Sequence, residues 1–229
     1  GNWPGVTVEK KQAPLSADKS VIITDLPGIY SLSPYSPEEQ VSRDYLMSGE
    51  ADVVVQVVDA TNLERNLYLA LQVIETGLPV VVALNMADLV KKNGDTIDVA
   101  RLEKALGCPV VMVSALKNNG VDALIDKAKT TAATKGSGQR HAFDSAIEDV
   151  LHIESQLPAS VAANRRRYYA VKMFERDSDA ASAIKLTDTA AQKIEALIAQ
   201  CEADCDDDAE SIITGERYAV IAHIIDECL

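Results

Sequence analysis

The sequence has no uninterrupted apolar stretch approaching the ~20 residues that span a bilayer as a helix, and no charged-then-apolar leader opens it, so it is expected to behave as a soluble piece. Basic residues are the scarcer charge. With 22 Lys and Arg against 35 Asp and Glu, the formal net charge is −13, and the pI is near 4.6. Holding a nucleic-acid backbone requires cations that displace counterions, so no nucleic-acid partner is expected; basic partners or small ligands suit the charge better. Cysteine is sparse. Cys108, Cys201, Cys205 and Cys228 form no C-x-x-C pair and are too few for a disulfide scaffold, so they read as reduced cytosolic thiols. Cys201 and Cys205 are four apart and would share a helix face, but no His or second Cys pair accompanies them as metal ligands. No G-x-G-x-x-G run occurs either, which leaves a dinucleotide-binding oxidoreductase without support.

At 229 residues and 47% hydrophobic, the chain can bury two modest cores, and two domains are expected. Residues 20–25, 51–59, 78–85 and 108–114 are short β-rich runs. The Val-rich ones are continuous rather than alternating, as in a parallel sheet buried on both faces. Helical patterns lie over 37–48, 63–76, 99–106 and 121–131, with Gly77 and Gly107 as stop signals. Alternating strand and helix predicts an α/β, doubly wound sheet. Residues 130–138 read as a linker. Beyond them the patterns are helical only: 142–156, 162–175, 188–202 and 208–227, the last interrupted by Gly215. The expected division is therefore an α/β domain over 1–138 and a small all-helical domain over 139–229. The acidic run Asp206-Asp207-Asp208 reads as helix-dipole complementation, and Arg165-Arg166-Arg167 as the solvated face of an amphipathic helix.

Four motifs carry chemistry. Asn85-Met86-Ala87-Asp88 follows a buried strand, where ligands of open parallel sheets gather. A carboxylate at Asp88 can accept two hydrogen bonds from guanine N1 and N2, while the Asn85 amide braces neighbouring loops. The structural alternative is a strand-ending turn with an Asp cap. Ser114-Ala115-Leu116 ends the next strand, where its backbone amides can approach guanine O6. Asp25-Leu26-Pro27-Gly28 has the D-x-x-G spacing that places a carboxylate near Mg2+, through water, and a flexible amide at a γ-phosphate; its alternative is ordinary strand-to-turn punctuation. Ahead of it, Gly1-Asn2-Trp3-Pro4-Gly5-Val6-Thr7 suits a mobile loop whose Thr7 hydroxyl can ligate Mg2+. Trp3, the one tryptophan, otherwise packs its ring against the domain or a partner.

Together these motifs resemble the cytosolic amino-terminal region of the bacterial ferrous iron transport protein B (FeoB) family. Gly1 to Glu9, Asp25-Leu26-Pro27-Gly28-Ile29-Tyr30-Ser31, the run from Val58 to Tyr68, and Ala83 to Asp88 all look like that family. The resemblance covers essentially the whole chain. It implies a P-loop GTPase-like sheet followed by a helical GDP-dissociation-inhibitor-like domain, and then a transmembrane iron-permease domain outside this chain. It further implies GTP or GDP, Mg2+ and K+ as ligands, and a place on the cytoplasmic side of the bacterial inner membrane. The residues implied to hold nucleotide are Gly5, Val6, Thr7, Val8, Glu9, Asp25, Leu26, Pro27, Gly28, Asn85, Met86, Ala87, Asp88, Ser114, Ala115 and Leu116. Thr7 and Gly28 stand closest to the chemistry, Thr7 and Asp25 serve Mg2+, and the backbone carbonyls of Gly1 and Trp3 serve K+.

Three departures shape the expectation. Ile29 follows Gly28 where Ras-like switches carry a water-positioning Gln, so turnover should be slow and the water positioned by backbone groups of the first switch. Met86 stands where many GTPases have Lys, and its thioether can still cover a base. No G-x-x-x-x-G-K-[ST] loop occurs. Lacking the central strand that carries that loop, the sheet would expose two Val-rich edges, so about 25 to 30 further upstream residues are expected. The leading reading is a slow GTPase module regulating ferrous iron uptake, with homo-oligomerisation open. The alternative is a non-catalytic guanine-nucleotide sensor or structural interaction domain with an incomplete site.

Overall fold

The computed structural model describes residues 10–33, 36–134, 143 and 145–229. They fall into two compact units, 1–52 and 53–229, each described by itself.

In the first unit, β1 (Lys11–Pro14) pairs antiparallel with β2 (Ile22–Asp25), Lys11 opposite Asp25 and Pro14 opposite Ile22. β1 is exposed throughout and carries no apolar run, so periodicity gave no sign of it. The connecting turn is closed by Leu15 N–H donating to Val21 O at 2.8 Å and by Ser20 N–H and Oγ–H donating to Asp18 Oδ1. Contrary to expectation, the 20–25 run forms a hairpin strand here and not a member of the parallel sheet. α1 (Pro37–Ser48) coincides with the predicted helix: Ser36 caps Glu39 N–H, the Glu39 carboxylate returns to Ser36 N–H, Pro37 presets the first turn, and Gly49 ends it at φ +82°.

In the second unit, β3 (Val54–Asp59), β4 (Val80–Asn85) and β5 (Val110–Met112) form a parallel sheet in that order. β4 is the central strand and is buried along almost its whole length, as its Val run requires. β3 alternates instead: Val55 and Val57 are 40% and 58% exposed while Val58 is fully buried. Among the described residues β3 pairs only with β4. The connecting helices are α2 (Leu63–Glu75), α3 (Ala87–Asn93) and α4 (Val99–Leu106), with α5 (Val121–Thr134) after β5. α2 buries Leu63, Leu67, Ala70, Leu71, Val73 and Ile74. α5 continues through Thr134, into the segment read as a linker; the remainder of 130–138 lies outside the described residues.

The helical part contains α6 (Ser145–Val150), α7 (Arg166–Phe174), α8 (Ser178–Ile184), α9 (Asp188–Cys205) and α10 (Ala209–Cys228), with short 3-10 turns at Leu151–Gln156 and Ala163–Arg165. Ile147, Leu151, Ile153, Phe174, Ile194, Ile198 and Ile213 lie in its core. α10 runs unbroken through Gly215, because the hydrogen bonds and packing of a 20-residue helix outweigh the ~1 kcal/mol that a single Gly costs. Asp208 caps it by accepting Ser211 N–H at 2.9 Å. The arginine triplet is no solvated face. Arg166 donates to the carbonyls of Glu154, Leu157 and Pro158, and Arg167, 7% exposed, pairs with Glu148 at 3.0 Å. These guanidinium groups are taken up by backbone carbonyls of the turn before them and by a carboxylate of α6.

The helical and α/β parts meet inside this unit. Arg217 on α10, 1% exposed, donates to Glu75 at the end of α2 (Nε to Oε1 3.1 Å, Nη2 to Oε2 2.8 Å) and to Glu175 (2.9 Å), which also holds Lys172 at 2.7 Å. Tyr68 of α2 stacks on Tyr218 with ring centroids 5.1 Å apart. Gly77, at φ +74°, lies so close to Asn164 that a Cβ there would sit 1.8 Å from the Asn164 carbonyl oxygen. At the far end, Asp98 N–H donates to Cys228 O (2.9 Å) and Arg101 to Glu227 O (3.0 Å), so α4 satisfies the last carbonyls of α10. No described helix is long and apolar enough to cross a membrane.

Candidate functional site

The carboxyl ends of β3, β4 and β5 gather the loops of the site. Asp59 closes β3 with an Asx turn, its Oδ1 accepting Thr61 N–H (2.8 Å) and Oγ1–H (2.7 Å), and Ala60 N–H donates to Asn85 O at 3.0 Å. After Asn85, Met86 takes φ +65°, which turns the chain sharply enough to start α3 at Ala87. Ala87 N–H donates to Val113 O at 3.1 Å, tying this turn to the end of β5. Met86 is left 38% exposed and Leu89 40% exposed.

The loop after β5 is equally constrained. Ser114 and Asn119 exchange backbone hydrogen bonds at 2.9 and 3.1 Å around a 3-10 turn, Ala115–Lys117, that ends at Asn118 in the left-handed region. Gly120 returns the chain at φ +78°, where a Cβ would stand 2.3 Å from Met112 O; only glycine fits.

These two loops are joined by their side chains. Asn85 Oδ1 accepts Ala115 N–H at 3.1 Å, and Asp88 Oδ1 accepts the Ser114 hydroxyl at 2.8 Å. Asp88 Oδ2 meets Lys117 Nζ at 3.1 Å. The Ser114 hydrogen bond first, and then Lys117, hold the Asp88 carboxyl below the usual aspartate range, so it is ionised at neutral pH. The N-cap position of α3 is Met86, and the Asp88 carboxylate, one residue into the helix beyond Ala87, reaches across to the neighbouring loop. The Ala115 amide is committed to Asn85. Leu116, in the same turn, projects outward and is 93% exposed. Lys117 went unnoticed in the sequence, since a Lys one place beyond a loop motif has no spacing signal; only an acid and a cation at the ends of adjacent parallel strands hints at it.

The remaining predicted residues divide in two. Asp25 ends β2, Leu26, Pro27 and Gly28 follow it, and the Ser42 hydroxyl donates to Pro27 O at 3.4 Å. The Asp25 carboxylate meets no side-chain partner among the described residues. Gly1, Trp3, Gly5, Val6, Thr7, Val8 and Glu9 lie outside the described residues. Among the described residues no three His, Cys, Asp or Glu side chains converge on a metal position, and all four cysteines are free, Cys205 alone exposed.

Comparison with known proteins agrees with this arrangement. The family model for ferrous iron transport protein B matches residues 1–128, and that for the FeoB cytosolic helical domain matches 143–229. The Fe(2+) transporter FeoB of Escherichia coli (strain K12) is 37% identical over 234 residues, covering 99% of this chain and 29% of the transporter. The chain thus spans under a third of the curated relatives it matches. Among solved structures, mGMPPNP-bound NFeoB from S. thermophilus superposes with a TM-score of 0.89 at 47% identity, covering 99% of this chain and 86% of that one. NFeoB from S. thermophilus bound to GDP.AlF4- and K+ gives 0.91 at 48% identity, covering 98% and 88%. The fold is the mixed α/β G-domain fold of those structures followed by a helical domain, and the chain belongs to the ferrous iron transport protein B (FeoB) family.

Proposed function

We propose that this chain is the guanine-nucleotide module of a bacterial ferrous iron transporter, binding GTP, hydrolysing it slowly and regulating iron uptake. The observation that carries the reading is the joining of the Asn85–Asp88 turn to the Ser114–Lys117 loop around one ionised carboxylate. An acceptor-only group with two oxygens suits guanine, whose N1 and N2 are adjacent donors, and rejects adenine, which would leave it unpaired. Exposed Met86 and Leu116 offer apolar cover for the faces of a base. Asn85 keeps the two loops in register rather than touching the base.

On the phosphate side the reading extends the family resemblance to Thr7, Asp25 and Gly28, with Gly5, Val6, Val8 and Glu9 closing over the nucleotide and Leu26 and Pro27 shaping the turn. Asp25 fits a cation held through water: an exposed carboxylate at a strand end without a competing side-chain partner among the described residues. Mg2+ bound there would offset phosphate charge. Thr7 would complete that position, and the Gly28 amide would meet a γ-phosphate, giving two segments released on its loss. With Ile29 where a Gln could orient water, turnover is slow. The K+ of the S. thermophilus neighbour extends to this chain through the Gly1 and Trp3 carbonyls. The α/β domain over 1–138 binds nucleotide, and the helical domain over 139–229 relays its state to a transmembrane permease portion at the cytoplasmic face of the inner membrane.

Ile29, standing where Ras-like switches carry a water-orienting Gln, favours a second reading, a guanine-nucleotide sensor without turnover. Steady-state phosphate release from GTP, with and without K+, separates the two. The GTPase reading predicts slow, K+-stimulated release; binding without release supports the sensor.

A further inference from the structure

The reading above gives Lys117 no role toward a ligand, yet it holds one of the two oxygens on which that reading depends. Ser114, 3% exposed, reaches Asp88 from the protein side. Lys117, with a side chain 62% exposed, reaches Asp88 Oδ2 at 3.1 Å from the solvent side, the side from which any ligand arrives. The approach is built into the loop. The Ser114–Asn119 backbone pair, the left-handed Asn118 and the tight return at Gly120 fix the position of the 3-10 turn that carries Lys117.

We propose that Lys117 is a specificity-determining residue of the base site: its ammonium occupies the outward oxygen of Asp88 and must be displaced by a base presenting two adjacent N–H donors. A base with one donor or none, such as adenine, gains too little to open the pair. The inference rests on the guanine-nucleotide reading and deepens it. An ammonium has three donors and a flexible stem, so it can leave one carboxylate oxygen without disturbing the loop. A partly exposed ion pair of this kind is worth at most about fivefold in an equilibrium constant, and salt screens it.

The test is stopped-flow binding of a fluorescent GDP analogue to the full chain, comparing wild type, Lys117→Met and Lys117→Arg at low and high salt. Lys117→Met is expected to associate faster and bind about two- to fivefold tighter at low salt, converging on wild type at high salt, with dissociation unchanged. Lys117→Arg keeps the cation and should follow wild type. Losing a Lys near an anionic ligand weakens electrostatic steering, which acts in the opposite direction, so the expected sign is a demanding one. Slower association, parity at every salt concentration, or faster dissociation in Lys117→Met would overturn the proposal; the last would make Lys117 a cover for the bound base. If wild type shows no preference for guanine over adenine nucleotides, the parent reading fails instead.

Discussion

Arg217 is the most deeply buried charge among the described residues, and replacing it with Met tests how the helical and α/β parts are held together. The guanidinium is 1% exposed and makes three hydrogen bonds, two to Glu75 and one to Glu175, whose side chains are 7% and 8% exposed. Met matches the stem of Arg in bulk, so little packing is lost. What remains is Glu75, buried without its partner, and Glu175 left to Lys172 alone. Breaking a buried pair by removing one member costs about 3–5 kcal/mol. For a chain of this size, where 1 kcal/mol is worth roughly 2–4 °C, Tm should fall by about 6–20 °C. Thermal and urea unfolding monitored by circular dichroism would measure it. Adding Glu75→Gln to Arg217→Met should recover part of the loss, because the penalty belongs to the stranded carboxylate. Acid should narrow the contrast, because the wild type loses its ion pairs there while a protonated carboxyl is cheaper to bury unpaired. Burial pushes the Glu175 carboxyl up, but Arg217 and Lys172 outweigh it and hold it below the ordinary range. Its contribution is therefore complete above the unfolded glutamate pKa and is lost as pH falls through the lower folded value. A loss below about 1 kcal/mol in Arg217→Met, or no recovery in the double variant, would refute the reasoning.

Other outcomes follow from local geometry. Gly77→Ala places a Cβ 1.8 Å from Asn164 O at φ +74° and should cost at least ~2 kcal/mol in urea unfolding. Gly215→Ala meets nothing within 4 Å and should stabilise by up to ~1 kcal/mol, raising Tm. The Glu202 carboxyl is pulled down to about 2 by Arg176 and by Ala209 N–H, so its NMR titration midpoint should lie well below that of an ordinary glutamate. The stability it confers is complete above the ordinary glutamate range and should vanish only as pH falls to about 2.

How much of this was legible depended on the kind of signal. α1 and α4 match their predicted spans because caps and stops are local: Ser36, Pro37 and Gly49 for one, Asp98 and Gly107 for the other. β4 was readable from its Val run, whereas β1, four exposed residues without apolar pattern, left no trace. α8 was missed because seven residues of mixed Ser, Asp and Ala show little periodicity. The arginine triplet misled for a related reason: what fills Arg166 and Arg167 are carbonyls and a carboxylate 8 to 19 residues away. At the site, Asn85, Asp88 and Ser114 were named from spacing, and the fold brings them together. Lys117 and the Arg217 cluster are products of tertiary approach, and no spacing rule encodes an ion pair between residues so distant in the chain.

The central claim is a guanine site built on Asp88, and isothermal calorimetry of GDP, a non-hydrolysable GTP analogue and ATP against wild type and Asp88→Ala tests it most directly. The account predicts binding of both guanine nucleotides, none of ATP, and loss of that selectivity in Asp88→Ala. Folded wild type that binds no guanine nucleotide, or an Asp88→Ala variant that binds GDP as wild type does, would contradict it.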